Sequence, residues 1–125
     1  MAEVYQGAAA LWIAREYAGR IEEKVEVKSI GVTAESVIPN DGERLFVLLV
    51  NLSTNLMYIG FDEAVGPDKG IFLAANGGSY AIDVREDMVL PTFQHYAVSA
   101  GAASSLYVVT LRRFKGTDQE GQQNA

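Results

Sequence analysis

Arg44-Leu45-Phe46-Val47-Leu48-Leu49-Val50-Asn51-Leu52-Ser53-Thr54-Asn55-Leu56-Met57-Tyr58-Ile59-Gly60-Phe61 is the stretch that decides the fold class. Its first half is an unbroken apolar run, Leu45 to Val50. The run is too short for a buried helix, and its β-branched and aromatic content favours a central, buried strand. Ser53-Thr54-Asn55 reads as a turn, and Leu56 to Phe61 as the next strand. Gly60 inside that strand marks a bulge or a close approach of backbone.

Working outward, the same rhythm continues on both sides. Upstream, Val32 to Ile38 reads as a strand ended by Pro39-Asn40-Asp41-Gly42, a strong turn signal. From Lys24 the period is two, with Val25 and Val27 facing one way and Lys24, Glu26 and Lys28 the other. That is a half-buried strand whose charged row faces water. Downstream, Asp62 to Gly70 is a polar loop, Ile71-Phe72-Leu73 a short strand and Ala75-Asn76-Gly77-Gly78 a turn. Ser79 to Val84 alternates, Arg85-Glu86-Asp87 turns, and Met88-Val89-Leu90 runs into Pro91, which marks an edge or an ending. His95 to Ala100 and Leu106 to Phe114 are the last strands. About eight short strands at roughly ten-residue spacing mean an all-β, antiparallel β-sandwich or jelly-roll-like barrel. No intervening segment suits a crossover helix.

Residues 8–23 read as the one helix, at the N-terminus. Ala10, Ala14, Tyr17 and Ile21 form its apolar stripe, and Glu16 to Arg20 is a favourable i, i+4 pair. So short a helix needs cover from the domain or from a neighbouring chain. The expected organisation is a helical arm over 1–25, a β-sandwich over 26–114 and a disordered polar tail over 115–125. Tyr5, Leu11, Trp12, Tyr17 and Ile21 are the candidate interface residues.

The chain has 125 residues and carries a net charge of -6, which disfavours a direct nucleic-acid role. Its only basic cluster, Arg112, Arg113 and Lys115, reads as a solvated strand end. There is no cysteine, so disulfides, thiolate metal sites and cysteine nucleophiles are excluded. The start lacks the basic region of a signal peptide, and no apolar run is long enough to cross a bilayer. The expectation is a soluble protein assembled in a cytoplasm.

No credible active site emerges. His95 is the only histidine, so a catalytic triad must be built on it, yet Ser99 lies about 13 Å along the same strand. Asp62-Glu63 and Glu86-Asp87 are adjacent in loops rather than opposed across a cleft. Asp62, Glu63 and Asp68 lack the spacing of a calcium loop, and Gly77-Gly78-Ser79 has neither the lysine nor the helix of a phosphate loop. Tyr58, Phe61, Phe72, Tyr80, Phe93, Tyr96, Tyr107 and Phe114 are expected in cores or cross-strand pairs.

The cadence of residues 36–111 carries a resemblance. It runs through Val37-Ile38-Pro39, Arg44 to Asn51, Asn55 to Phe61, Gly70 to Leu73, Gly78-Ser79-Tyr80, Val89-Leu90-Pro91, Tyr96 to Gly101 and Leu106-Tyr107-Val108. In this the chain resembles small β-sandwich virion proteins of tailed bacteriophages, the capsid decoration (cement) proteins and head or tail fibre modules. The resemblance implies a compact non-enzymatic sandwich, a homotrimer, with the major capsid protein or another virion protein as partner and no cofactor, metal, nucleic acid or membrane. The residues Val4 to Val25 are then expected to supply the contacts. A fibre or baseplate module and a carbohydrate-binding sandwich are the rival readings. A cupin-like enzyme would use two or three metal-binding histidines, and this chain has one.

Overall fold

The computed structural model describes residues 8–114, without the side chains of Ala10 and Ile13. In chain order they form α1 (Ala8–Tyr17), β1 (Arg20–Ile30), β2 (Glu35–Ile38), β3 (Arg44–Asn51), β4 (Met57–Gly60), β5 (Ile71–Leu73), β6 (Ser79–Asp83), the single turn α2 (Val84–Asp87), a 3₁₀ turn (Leu90–Thr92), β7 (His95–Ser99) and β8 (Ser104–Phe114). The strands make two four-stranded sheets, ordered β1-β8-β3-β6 and β2-β7-β4-β5. Every paired strand is antiparallel. All connections but β4–β5 pass from one sheet to the other, which is the jelly-roll arrangement of two Greek keys. The all-β sandwich expected from the strand rhythm is therefore the fold.

The core lies between the sheets. It joins Val47 and Leu49 of β3, Leu106 and Val108 of β8, Met57 and Ile59 of β4, Ala97 of β7 and Leu73 of β5, with Ile30, Val37, Ile38 and Ile82 around them. A bulge at Leu45 sets the aim of β3. Arg44 pairs with Arg112, but Phe46 pairs with Leu111, so one residue is extra. Arg44 and Phe46 would otherwise share a face; the bulge turns Arg44 inward and Phe46 outward.

Arg44 is buried and spends its guanidinium on three carbonyls: Pro39 at 2.7 Å, Pro91 at 3.2 Å and Phe93 at 3.4 Å. It thereby ties the β2 exit to the 3₁₀ turn. Burial lowers its pKa, opposed by nearby Asp41. At the other end of the sandwich, Asn51, Asn55, Ser99 and Ser104 form a closed polar network, including Asn55 Nδ2 to Ser104 Oγ at 3.0 Å and Ser99 Oγ to Ser104 Oγ at 2.8 Å. The close approach anticipated at Gly60 is real: a Cβ there would stand 2.7 Å from Val65, the buried residue that plugs the 62–70 loop onto the sheet.

Four expectations are corrected. The helix ends at Tyr17 rather than residue 23: Ala18 takes a left-handed φ of 57°, Gly19 donates back to the Ala14 carbonyl, and β1 begins at Arg20. Pairing along the whole of β8, from Arg20↔Phe114 to Ile30↔Ser104, overrides the local helical signal. Glu16 meets Arg85 at 3.5 Å, and its i, i+4 pairing with Arg20 is not the contact made. In β1 the faces are reversed, because Lys24, Glu26 and Lys28 share the side of buried Thr110, Val108 and Leu106, while Val25 and Val27 point away from the core. Met88-Val89-Leu90 is not a strand but the link from α2 into the 3₁₀ turn.

Candidate functional site

The apolar run Leu45 to Val50 is central in its sheet, but among the described residues the second sheet covers one of its faces only. Val47 and Leu49 enter the core, whereas Phe46, Leu48 and Val50 face outward. The register continues this outward row across the sheet. Leu48 stands opposite Val109 of β8 and Ala81 of β6, Val50 opposite Tyr107, and Phe46 opposite Leu111. Beyond them Val25 pairs with Val109 and Val27 with Tyr107, at 49% and 59% exposure. The middle of the outward face of the β1-β8-β3-β6 sheet is thus a band of valine, leucine and aromatic side chains turned away from the core, bordered in the same register by Glu23, Asp83, Ser79, Ser29 and Ser105. Antiparallel sheets with one solvated face normally carry polar residues there, and a contiguous apolar patch marks an interaction surface.

Helix α1 crosses one end of this face. Its Ala-rich sequence favours the helix, and the turn at Ala18-Gly19 sends it back over the sheet. Close packing needs the glycine there, since a Cβ at Gly19 would lie 2.9 Å from Arg113 Cγ. Arg85, just past β6, lies over the Trp12 ring at 5.5 Å and pairs with Glu16, so α1 spans from the β1 side to the β6 side. Between helix and sheet runs a groove of about 1090 Å³, whose walls include Leu11, Trp12, Tyr17, Ile21, Phe46 and Leu111. Four of the five candidate interface residues therefore converge on one groove, with Leu11 55% and Trp12 49% exposed; Ile21 reaches it from β1 rather than from the helix. Tyr5 lies outside the described residues, as do residues 115–125.

The remaining candidates are dispersed. His95 is fully buried. Its Nδ1–H donates to the Phe93 carbonyl at 2.9 Å, so Nε2 accepts from the Tyr80 hydroxyl at 3.2 Å. Burial chiefly, with Arg44 adding to it, lowers its pKa to about 4; the Phe93 bond opposes the shift. Burial, helped by Asp87, pushes Tyr80 up to about 12. The imidazole is thus a neutral structural group in an aromatic nest with Phe61, 4.9 Å away. Asp62 accepts from Lys69 at 3.0 Å and from the Ala64 amide, which hold its pKa below the usual range. Asp83 caps α2, and Asp87 accepts from the Asp83 amide. Among the described residues no three acidic or histidine side chains gather as metal ligands.

Arg112 makes a two-pronged contact with Asp41, at 2.8 and 3.2 Å, and also meets Glu22. Arg113 donates to Glu43 at 2.7 Å and to the Tyr17 carbonyl at 3.2 Å. The basic cluster is therefore neutralised by partners instead of forming a free cationic patch; Lys115 lies outside the described residues. The aromatics divide. Tyr80 packs on the core and His95, Tyr107 joins the outer band, and Tyr58 lies beside Phe72 on the outer face of the second sheet, with ring centres 5.8 Å apart and planes tilted by 53°. No helix among the described residues is long and apolar enough to cross a membrane.

No protein-family model matches this chain, and no curated protein does. A solved structure that resembles it is described as "Bacillus endospore appendages form a novel family of disulfide-linked pili": TM-score 0.50, 10% identity, covering 76% of this chain and 87% of that one. At that identity the likeness concerns the fold alone.

Proposed function

We propose that this protein is a non-catalytic structural subunit that docks the outward apolar face of β1-β8-β3-β6 onto other protein chains in a larger assembly. The observation that carries this reading is the row Val25-Val109-Leu48, continued by Val27-Tyr107-Val50, on the side of the sheet opposite the core. A jelly roll with a two-layer core has no internal use for that row. In its narrower form the protein is an accessory virion protein of a tailed phage, seated as an oligomer on the outer surface of an assembled capsid and cementing neighbouring capsid subunits. The cadence of residues 36–111 supports this form. Binding only the assembled shell stabilises it by mass action, and repeated sites on one shell add avidity. The pilus structure offers a parallel for the fold in a protein assembly, but that pilus is described as disulfide-linked. Without cysteine, this chain would assemble by non-covalent contacts.

The test is co-sedimentation of the full chain with assembled shells and, separately, with unassembled capsid subunits. Pelleting with shells alone supports the decoration reading. A second reading rests on Tyr58 and Phe72, whose outward rings suit a sugar face. Glycan binding that disappears in Phe72→Ala, without shell binding, would favour it.

A further inference from the structure

β1 is the edge of its sheet, and the strand is 11 residues long. The backbone hydrogen bonds fix which of its amides are free. Ser105 accepts from Leu52, and Arg113 donates to Glu43, so odd-numbered residues of β8 turn their amides toward the β3 side. Pairing between β1 and β8 joins even residues to even without a register break. Among the described residues, the odd residues of β1, from Ile21 to Ser29, therefore present N–H and C=O to the open edge. Helix α1 leads away from this edge toward Arg85 at the far side of the sheet.

We infer that the occupant of this edge is a second copy of β1, paired antiparallel about a twofold axis at Val25. This register uses the full strand, Arg20 opposite Ile30 of the other copy. It places every free odd-numbered amide opposite another, giving about ten new N–H···O bonds. It also matches the charges. On the face shared with the core, Glu22 meets Lys28 of the other copy and Lys24 meets Glu26, each twice by symmetry. A slip of two residues one way opposes Lys24 to Lys24 and Glu22 to Glu26; the other way opposes Glu26 to Glu26 and Lys24 to Lys28. A one-residue slip sets each odd-numbered amide at the edge against an even-numbered residue whose amide points to β8. The Lys24-Glu26-Lys28 row stays solvent-accessible, so each ion pair adds little energy. Its role is to select the register. Charges placed merely to guard an edge need only repel, whereas this row is self-complementary in the register of greatest overlap.

On the opposite face Val25 meets its own copy, and the two outward apolar bands join across an eight-stranded sheet. This pairing extends the proposed function by supplying the oligomer, and it closes on two copies where the virion resemblance implies three. It also places Val25 and Val27 of both copies at the centre of the docking face.

The test is native mass of the full chain by sedimentation velocity. Wild type is expected at two-chain mass. Lys24→Glu/Lys28→Glu, with an all-acidic row, and Glu22→Lys/Glu26→Lys, with an all-basic one, are each expected to dissociate at least tenfold more readily. Their equimolar mixture should return to two-chain mass, which also shows that both variants fold. Val25→Pro removes an edge amide that β8 does not use and should give a folded monomer. A one-chain wild type, a three-chain mass indifferent to the charge variants, or a mixture that stays dissociated would overturn the pairing. Shell binding is read separately, so a monomer that still pellets with shells refutes the β1 pairing and leaves the docking face standing.

Discussion

Leu48 and Val109 stand directly opposite each other across the β3–β8 ladder, on the side of the sheet that faces away from the core. Their in-sheet neighbours Ala81 and Val25 extend the contact to both edges. The next residues along each strand, Leu49 and Val108, are in the core. Apolar side chains thus occupy both faces of a sheet that has a second layer on one face only. Among the described residues only α1 reaches over the outer face, at one end. That outward apolar area is the physical basis for the proposal that this face docks on another chain.

Acid should weaken the fold through His95. Its folded-state pKa, about 4, lies below the ordinary 6.5. The unfolded chain therefore binds the extra proton between those values. Stability is full above pH 6.5 and falls as pH drops toward 4, by on the order of 3 kcal/mol. Urea midpoints from pH 7.5 to 4 should decline through this window, and the His95 ring proton should titrate in the folded protein near pH 4. A flat stability profile with a ring titrating near 6.5 would contradict the buried, neutral assignment.

Replacing Arg44 should unfasten the end of the sandwich where β2, β3 and the 3₁₀ turn meet. Arg44→Met fills similar volume but strands carbonyls of Pro39, Pro91 and Phe93. The expected loss is about 2–4 kcal/mol in urea unfolding. Arg112→Lys, at the more exposed Asp41 contact, should cost less than 1 kcal/mol.

Gly60→Ala should lose about 1–3 kcal/mol, because the new methyl meets the Val65 side chain and not open space. The cost should be smaller in a Val65→Ala background. A double-mutant cycle by thermal or urea unfolding reads that coupling, and strict additivity would show that the 62–70 loop moves aside freely.

Much of the fold was legible because the turn residues are explicit. Pro39-Asn40-Asp41-Gly42 and Ala75-Asn76-Gly77-Gly78 bracket strands that the structure places almost where expected, and Gly60 announced its close contact. The start of β1 was not legible. Its partner lies some ninety residues away in β8, and no local pattern reports that pairing. The faces of β1 were misassigned for a related reason. Alternation reveals that two rows differ but not which row meets the core, and an outward apolar row inverts the usual rule. Likewise, the run Leu45 to Val50 signalled burial on both sides and could not say that Leu48 and Val50 face away from the two-sheet core. The groove was half-legible: Leu11, Trp12, Tyr17 and Ile21 were named from residue type, but Phe46 and Leu111 join them only through the Leu45 bulge and the β3–β8 register.

The most direct test of the docking face is the fraction of wild type and of Val109→Lys that pellets with assembled capsid shells, at equal protein concentration. A lysine in the middle of the outward band leaves the core untouched and should leave the unfolding midpoint nearly unchanged. Saturable pelleting is expected of the wild type, and at least a tenfold weaker association of the folded variant. Equal pelleting of both proteins, or none of either, would contradict docking through this face.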